Sequence, residues 1–138
     1  MNCPVGLKLL VLPTKGEGWG LPLIEAAAAG LPIITTMHSG HTEFLQHIPS
    51  SVIPVEFDMA PIACEEYKFC YPTEDGDWGS WAQPRIDSIR SALRTARDNY
   101  VTLQSRAFAN SAIIRDAFAW ERSADCVAKL LHSQGLIK

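Results

Sequence analysis

The feature that most constrains this chain is an apolar run, a glycine-rich loop, an alanine-rich segment and a second apolar run, all within residues 7–36. Leu7 to Leu12 is short, almost wholly apolar and closed by Pro13, which suits a strand buried on both faces. Leu21 to Ala29 carries Pro22 in its first turn and four consecutive alanines, with Gly30 just past its end. Alanine is the best helix former, proline is accepted in a first turn, and glycine is favoured beyond a helix C-terminus. Pro32 to Thr36 is a second apolar, β-branched run. Two buried strands with one helix between them pair in parallel through a right-handed crossover. Thr42 to His47 predicts a short helix, and Val52 to Glu56 a third strand whose Pro54 favours an edge position. The expected class is α/β, a partial Rossmann-like arrangement with a short parallel sheet.

Composition narrows the function classes. The chain has 138 residues, 47% hydrophobic and 20% charged, the profile of one soluble globular domain. A domain of this length buries about two-thirds of its unfolded surface, so it needs no disulfide or metal staple. The 12 Lys and Arg against 15 Asp and Glu give a net charge of −3, which argues against nucleic-acid binding. No stretch reaches the roughly 18 apolar residues of a membrane span. Met1-Asn2-Cys3-Pro4 lacks the basic and apolar regions of a signal peptide. Cys3, Cys64, Cys70 and Cys126 are widely spaced and read as reduced thiols. The expected location is cytoplasmic.

Charge divides the chain into three zones: a near-neutral β/α segment over 1–57, an acidic irregular insertion over 58–83, and an Arg-rich helical end over 84–138. Within the insertion, Tyr67 to Tyr71 alternates well enough for a short strand, and Thr73 to Gly79 is a turn-rich loop. Pro84 is expected at the first position of a long helix. Its apolar face would be Ile86, Ile89, Leu93, Ala96, Tyr100 and Leu103, with Arg90, Arg94 and Arg97 as a solvated stripe. Ile113 to Phe118 and Trp120 to Leu131 continue helically, broken near Phe118-Ala119-Trp120.

Chemistry concentrates in Gly16-Glu17-Gly18-Trp19-Gly20-Leu21-Pro22-Leu23-Ile24-Glu25, between a strand's C-terminal end and a helix start. In doubly wound sheets ligands bind beyond those strand ends. Glycines let the backbone approach a ligand, and a helix N-terminus offers unpaired N–H groups to phosphate oxygens. Glu17 in the loop and Glu25 one turn into the helix each present two acceptor oxygens for sugar or ribose hydroxyls. A helix N-terminus flanked by two carboxylates suits a nucleotide-sugar. The same residues also read as a solvated loop acid, an exposed helix residue and turn glycines.

The stretch from Leu12 to Ile34 resembles the signature of the retaining glycosyltransferases of family 4 (glycosyl transferases group 1), whose GT-B architecture joins two Rossmann-like domains. Glu17, seven residues, Glu25, a small-residue helix, Gly30, Leu31 and Pro32 stand in the family's register, with Trp19 where Phe or Tyr is commoner. Ser39-Gly40-His41-Thr42-Glu43-Phe44-Leu45 is similar to the family's glycine-plus-Glu segment after the next strand. Trp81-Ala82-Gln83-Pro84 resembles a Trp-Ala-Glu-Pro stretch of some members, and Phe118-Ala119-Trp120-Glu121 the aromatic turn before the last helix. The resemblance implies that Glu17 contacts the transferred sugar as the catalytic carboxylate and that Glu25 holds the ribose. Backbone N–H groups around Gly18, Trp19, Gly20 and Leu21 would face the sugar and diphosphate. It further implies transfer from a nucleotide-diphosphate sugar to an acceptor hydroxyl with retention, without metal or other cofactor, through stabilisation of the departing diphosphate. The family's diphosphate-gripping Arg and Lys and its acceptor domain have no counterpart here, and Lys15 does not stand in for that lysine. On this reading the chain is a donor-binding C-terminal part, inactive alone.

Other candidates are weaker. His38 and His41 lie three apart in a loop without a third fixed ligand, so a plain loop outweighs a metal site. His41 is a candidate pocket residue, and Glu43 either lines that pocket or caps local amides. Trp78 and Trp81 either stack on a sugar or, for Trp81, pack under the helix after Pro84. The alternative function is a non-catalytic interaction domain. The sheet edge left by absent upstream strands would pair with a partner chain or a second copy.

Overall fold

The computed structural model describes residues 8–62 and 79–137. Cys3, Cys64, Cys70, Trp78 and the strand expected over Tyr67–Tyr71 lie outside the described residues.

Three strands form a parallel sheet in the order β1 (Leu10–Leu12), β2 (Ile33–Thr36), β3 (Val52–Val55). Leu10 is in register with Ile33, and Ile33 with Val52. All four residues of β2 are buried, because helices cover both faces and leave neither for water. The crossovers are α1 (Leu21–Ala28) and, between β2 and β3, α2 (Thr42–Leu45) with a 3₁₀ turn at Pro49–Ser51. The chain is thus α/β, with a short parallel sheet and C-terminal helices. Pro54 sits on β3 at the sheet's edge, where its missing N–H leaves no ladder bond unmade. β1 is the other edge: among the described residues no strand pairs its outer side, and Val11 is exposed.

α1 ends as its sequence requires. The N–H of Gly30 donates to Ala27 O (3.1 Å) and that of Leu31 to Ala26 O (3.0 Å), the two bonds of a Schellman cap. Arg115 from the long helix α4 (Tyr100–Ala117) adds a third contact, donating to Ala28 O at 2.9 Å. One core packs Leu23, Ala27, Ile33, Phe44, Leu45, Ile48 and Ile114 between the sheet, α1, α2 and α4. On the opposite face Ile34 and Val55 meet Ala92, Ala96 and Leu103 from α3 (Ile86–Asp98) and α4. Burying each large aliphatic chain here stabilises the fold by roughly 1.5–3 kcal/mol.

The acidic zone expected to be irregular starts and ends in strands. β4 (Phe57–Pro61) and β5 (Ser80–Pro84) pair antiparallel, with Phe57 opposite Pro84. Pro84 therefore closes a strand, and α3 begins two residues later at Ile86 with Arg85 as its N-cap. The single helix expected after Pro84 is divided at Asn99. Of the expected face Ala96 and Leu103 are buried, but Ile86 and Leu93 are exposed, and Ala92, which was not on it, is buried against the sheet. Arg90, Arg94 and Arg97 are exposed, as expected of a solvated stripe. The break at Phe118-Ala119 before α5 (Trp120–Ser133) falls where the sequence puts it. No helix among the described residues is long and apolar enough to cross a membrane.

Arg85 closes the ribbon with a fork onto Asp58, Nε to one carboxylate oxygen at 2.9 Å and Nη2 to the other at 2.6 Å. These bonds hold the Asp58 carboxyl below its ordinary value of 3.8. A folded value below the unfolded one means that the pair's contribution is present above that value and is lost as pH falls through the folded one. Both side chains are more than half exposed, so the contribution is small. In Arg85→Gln the Asp58 midpoint, followed by carboxyl ¹³C shifts, is expected to rise towards 3.8 with little change in Tm at neutral pH. An unmoved midpoint would show that the fork is not what lowers it.

Candidate functional site

The β1–α1 loop carries the chemistry-bearing residues, and its shape follows from how α1 starts. Gly20 is the N-cap with φ +83°, in the left-handed region open to glycine. Its carbonyl accepts the N–H groups of Leu23 (2.9 Å) and Ile24 (3.1 Å). Among the described residues no side chain caps the helix. Among the described residues the backbone N–H groups of Gly18, Trp19, Gly20 and Leu21 have no acceptor. Unpaired N–H donors at the positive end of a helix are the kind of group that anions bind.

The loop is held from below by hydroxyls at the end of β2. Thr35 Oγ1 donates to Leu12 O (2.7 Å) and Thr36 Oγ1 to Thr14 O. Ser39, with φ +71°, accepts the Glu17 N–H on its Oγ at 2.8 Å. Gly40 N–H donates to Glu17 O at 3.1 Å. The backbones approach so closely that a Cβ on Gly40 would lie 2.0 Å from Gly18 O. These four residues fix where Glu17 stands, and none of them was singled out as a positioning group by the sequence reading. The available signal was two threonines closing a buried strand, since buried hydroxyls require partners.

Glu17 is half-buried in the loop, and Glu25 is exposed on α1. Glu25 lines a cavity of about 430 Å³ with Trp19, Leu21, Ile24, Phe118 and Trp120, between the start of α1 and the α4–α5 junction. Glu17 does not line it. Trp19 anchors the loop: its ring lies 5.5 Å from Phe44 and 5.9 Å from Phe118, centroid to centroid.

The candidates after β2 fall elsewhere. His41 is fully buried, its Nε2 against Thr36 O and its Nδ1 without a partner among the described residues. Facing a carbonyl, Nε2 carries the proton, so the ring braces β2 from inside. Its Cβ also approaches Gly20: a Cβ built there would lie 3.0 Å away. Glu43 is exposed in the first turn of α2, and its carboxylate caps no amide among the described residues. The His38 ring lies 5.5 Å from that of Phe57, centroid to centroid, at a tilt of 54°. Trp81, expected under the helix after Pro84, sits on β5 with the Lys15 ammonium 3.7 Å from its ring centroid.

Comparison with known proteins bears on the same stretch. Residues 6–53 match the family model described as Glycosyl transferases group 1, a span that includes Glu17, Glu25, His41 and Glu43. The 2-deoxystreptamine N-acetyl-D-glucosaminyltransferase of Niallia circulans is 39% identical over 61 residues. That alignment covers 44% of this chain and 16% of the relative, so the chain matches less than a fifth of that protein's length. No solved structure matches the chain.

Proposed function

We propose that this chain is the donor-binding part of a retaining, family 4 glycosyltransferase, moving a glycosyl group from a nucleotide-sugar to an acceptor hydroxyl. The observation that carries this reading is the run of four unpaired N–H groups over Gly18–Leu21, flanked in sequence by Glu17 and Glu25, inside the span matched to a glycosyltransferase model. This run suits the donor diphosphate. Its donors would stabilise the charge that builds on the leaving group as the glycosidic bond breaks, with no reorganisation at the moment of reaction. Glu25, in the cavity beside Trp19 and Leu21, would accept the ribose hydroxyls, and Glu17 would accept hydroxyls of the sugar. The resemblance calls for no metal at this site. An acceptor-binding part, on further chain or on a partner pairing at the open β1 edge, would complete the reaction; the described part would bind donor without turnover. The relative's name makes a nucleotide-linked N-acetylglucosamine the first donor to try.

Titration with uridine diphosphate and UDP-N-acetylglucosamine, followed by ¹H–¹⁵N NMR, is expected to shift Gly18–Glu25. Glu25→Gln removes one charge-assisted acceptor worth about 1.5–3 kcal/mol, so affinity should fall roughly 10–100-fold. Parent-like affinity in that variant would remove Glu25 from the ribose role. A second reading, a non-catalytic interaction module, draws on α5, which has no buried residue and exposes Trp120, Val127 and Leu130. Absence of any shift at millimolar nucleotide would favour it.

A further inference from the structure

A second cavity, of about 520 Å³, opens beyond the C-terminal ends of β1 and β2 and is closed on one side by the β4–β5 ribbon. Thr14, Lys15, His38, Ser39, Ser80 and Trp81 line it, and it shares no residue with the cavity of Glu25. Lys15 is fixed at both ends. Ala82 N–H donates to its carbonyl at 2.9 Å, and its ammonium stands 3.7 Å from the Trp81 ring centroid.

Lys15 takes part in none of the ion pairs among the described residues, although the chain as a whole is acidic. A ring face attracts an ammonium but cannot satisfy its three N–H donors. The His38 ring nitrogens and the Ser80 hydroxyl also have no hydrogen-bond partner among the described residues. By contrast, the Thr14 and Ser39 hydroxyls are already committed, to Gly16 and to His38 and Glu17. Among the described residues no carboxylate lines the cavity. A half-buried cation, an imidazole and a hydroxyl facing one space, with no acid among the described residues, select an anion.

We propose that this cavity binds the anionic substituent, a phosphate or a carboxylate, of a sugar. The sugar part of the proposal rests on the glycosyltransferase reading above: Gly16 and Ser39 belong both to this wall and to the support of the Glu17 loop. A ring seated here lies against that loop, and the volume is that of a small-molecule site. The site is distinct from the Gly18–Leu21 amides, so the group it holds is not the donor diphosphate.

The test is NMR titration of the full chain with glucose 6-phosphate, glucuronate, glucose and inorganic phosphate at constant ionic strength. Glucose 6-phosphate or glucuronate is expected to shift Gly16, His38, Ser39 and the Trp81 indole while leaving Leu21–Glu25 unmoved; which of the two binds tighter identifies the anion. Lys15→Gln should weaken that binding at least tenfold, and Ser80→Ala by a few-fold, with Tm held. Equal binding of glucose, or of inorganic phosphate alone, would overturn the proposal, as would parent-like affinity in Lys15→Gln. UDP titration of Leu21–Glu25 is read in the same samples. Its failure beside a bound sugar anion would count against the donor reading and leave this site standing.

Discussion

Gly40→Ala is expected to part the two loops that carry the site, lowering both stability and nucleotide affinity. The new methyl would lie 2.0 Å from Gly18 O, 2.8 Å from Gly18 C and 3.1 Å from Glu17 O. All three are backbone atoms, so no side chain can rotate to make room, and the β1–α1 loop must move by about an ångström or more. That motion breaks Gly40 N–H to Glu17 O and strains Glu17 N–H to Ser39 Oγ. Overpacking costs about 1–3 kcal/mol and the hydrogen bonds about 1 kcal/mol each, giving a loss of roughly 2–4 kcal/mol. For a domain of this size the corresponding fall in Tm is about 10 °C. Gly18–Leu21 ride on the displaced segment, so uridine diphosphate should bind at least tenfold more weakly. Gly16→Ala is the matched comparison, since a Cβ there meets only Ser39 Oγ at 3.9 Å. A Gly40→Ala protein with parent-like Tm and unshifted Glu17–Gly20 resonances would refute the close approach.

Much of the architecture was legible because it is written in local rules. β1, β2 and β3 are apolar runs, since a sheet covered on both faces has no polar face to show. α1 is marked at its end by Gly30, which supplies the Schellman cap. The misreadings have a common cause in pairings across long sequence distances. Pro84 is a legitimate first residue of a helix, and only the partnership with Phe57, 27 residues earlier, makes it the end of a strand. The face of α3 was read from 3-4 spacing, which places Ala96 correctly. Packing onto a sheet favours Ala92 beside it, two small residues that bring the helix axis close, and it leaves Ile86 and Leu93 outside.

The site divides in the same way. The placement of Glu17 in a loop, Gly20 at a helix start and Glu25 in its first turns was legible because a loop entering a helix is a local motif. Their support from Thr35, Thr36 and Ser39, and the burial of His41 beneath them, depend on how two loops meet. His41 shows the limit well. Its spacing from His38 carries no information about Thr36 O, which accepts the Nε2–H and holds the buried ring in the core.

Phe44→Ala should have the largest effect on stability, and the loop should report it. Phe44 is fully buried on α2 and packs with Leu23, Ile33, Leu45 and Ile48. Its ring also lies 5.5 Å from Trp19 and 6.1 Å from Phe118, so it joins the main core to the aromatic group that anchors the site. Truncation of a buried Phe costs about 3–5 kcal/mol, and each aromatic pair contributes about 0.5–1.5 kcal/mol beyond area burial. Against a total stability of about 5–15 kcal/mol, the variant should unfold more than 10 °C below the parent. Phe44→Leu keeps most of the volume and should lose less than half as much. Trp19 is already partly exposed, and with one of its two aromatic neighbours gone its emission should move to the red in the folded variant. Glu25 shares a cavity with Trp19, so nucleotide affinity should fall in step with that emission shift across Phe44→Leu and Phe44→Ala. Stability lost without any change at Trp19 would separate the core from the loop and break the link drawn here.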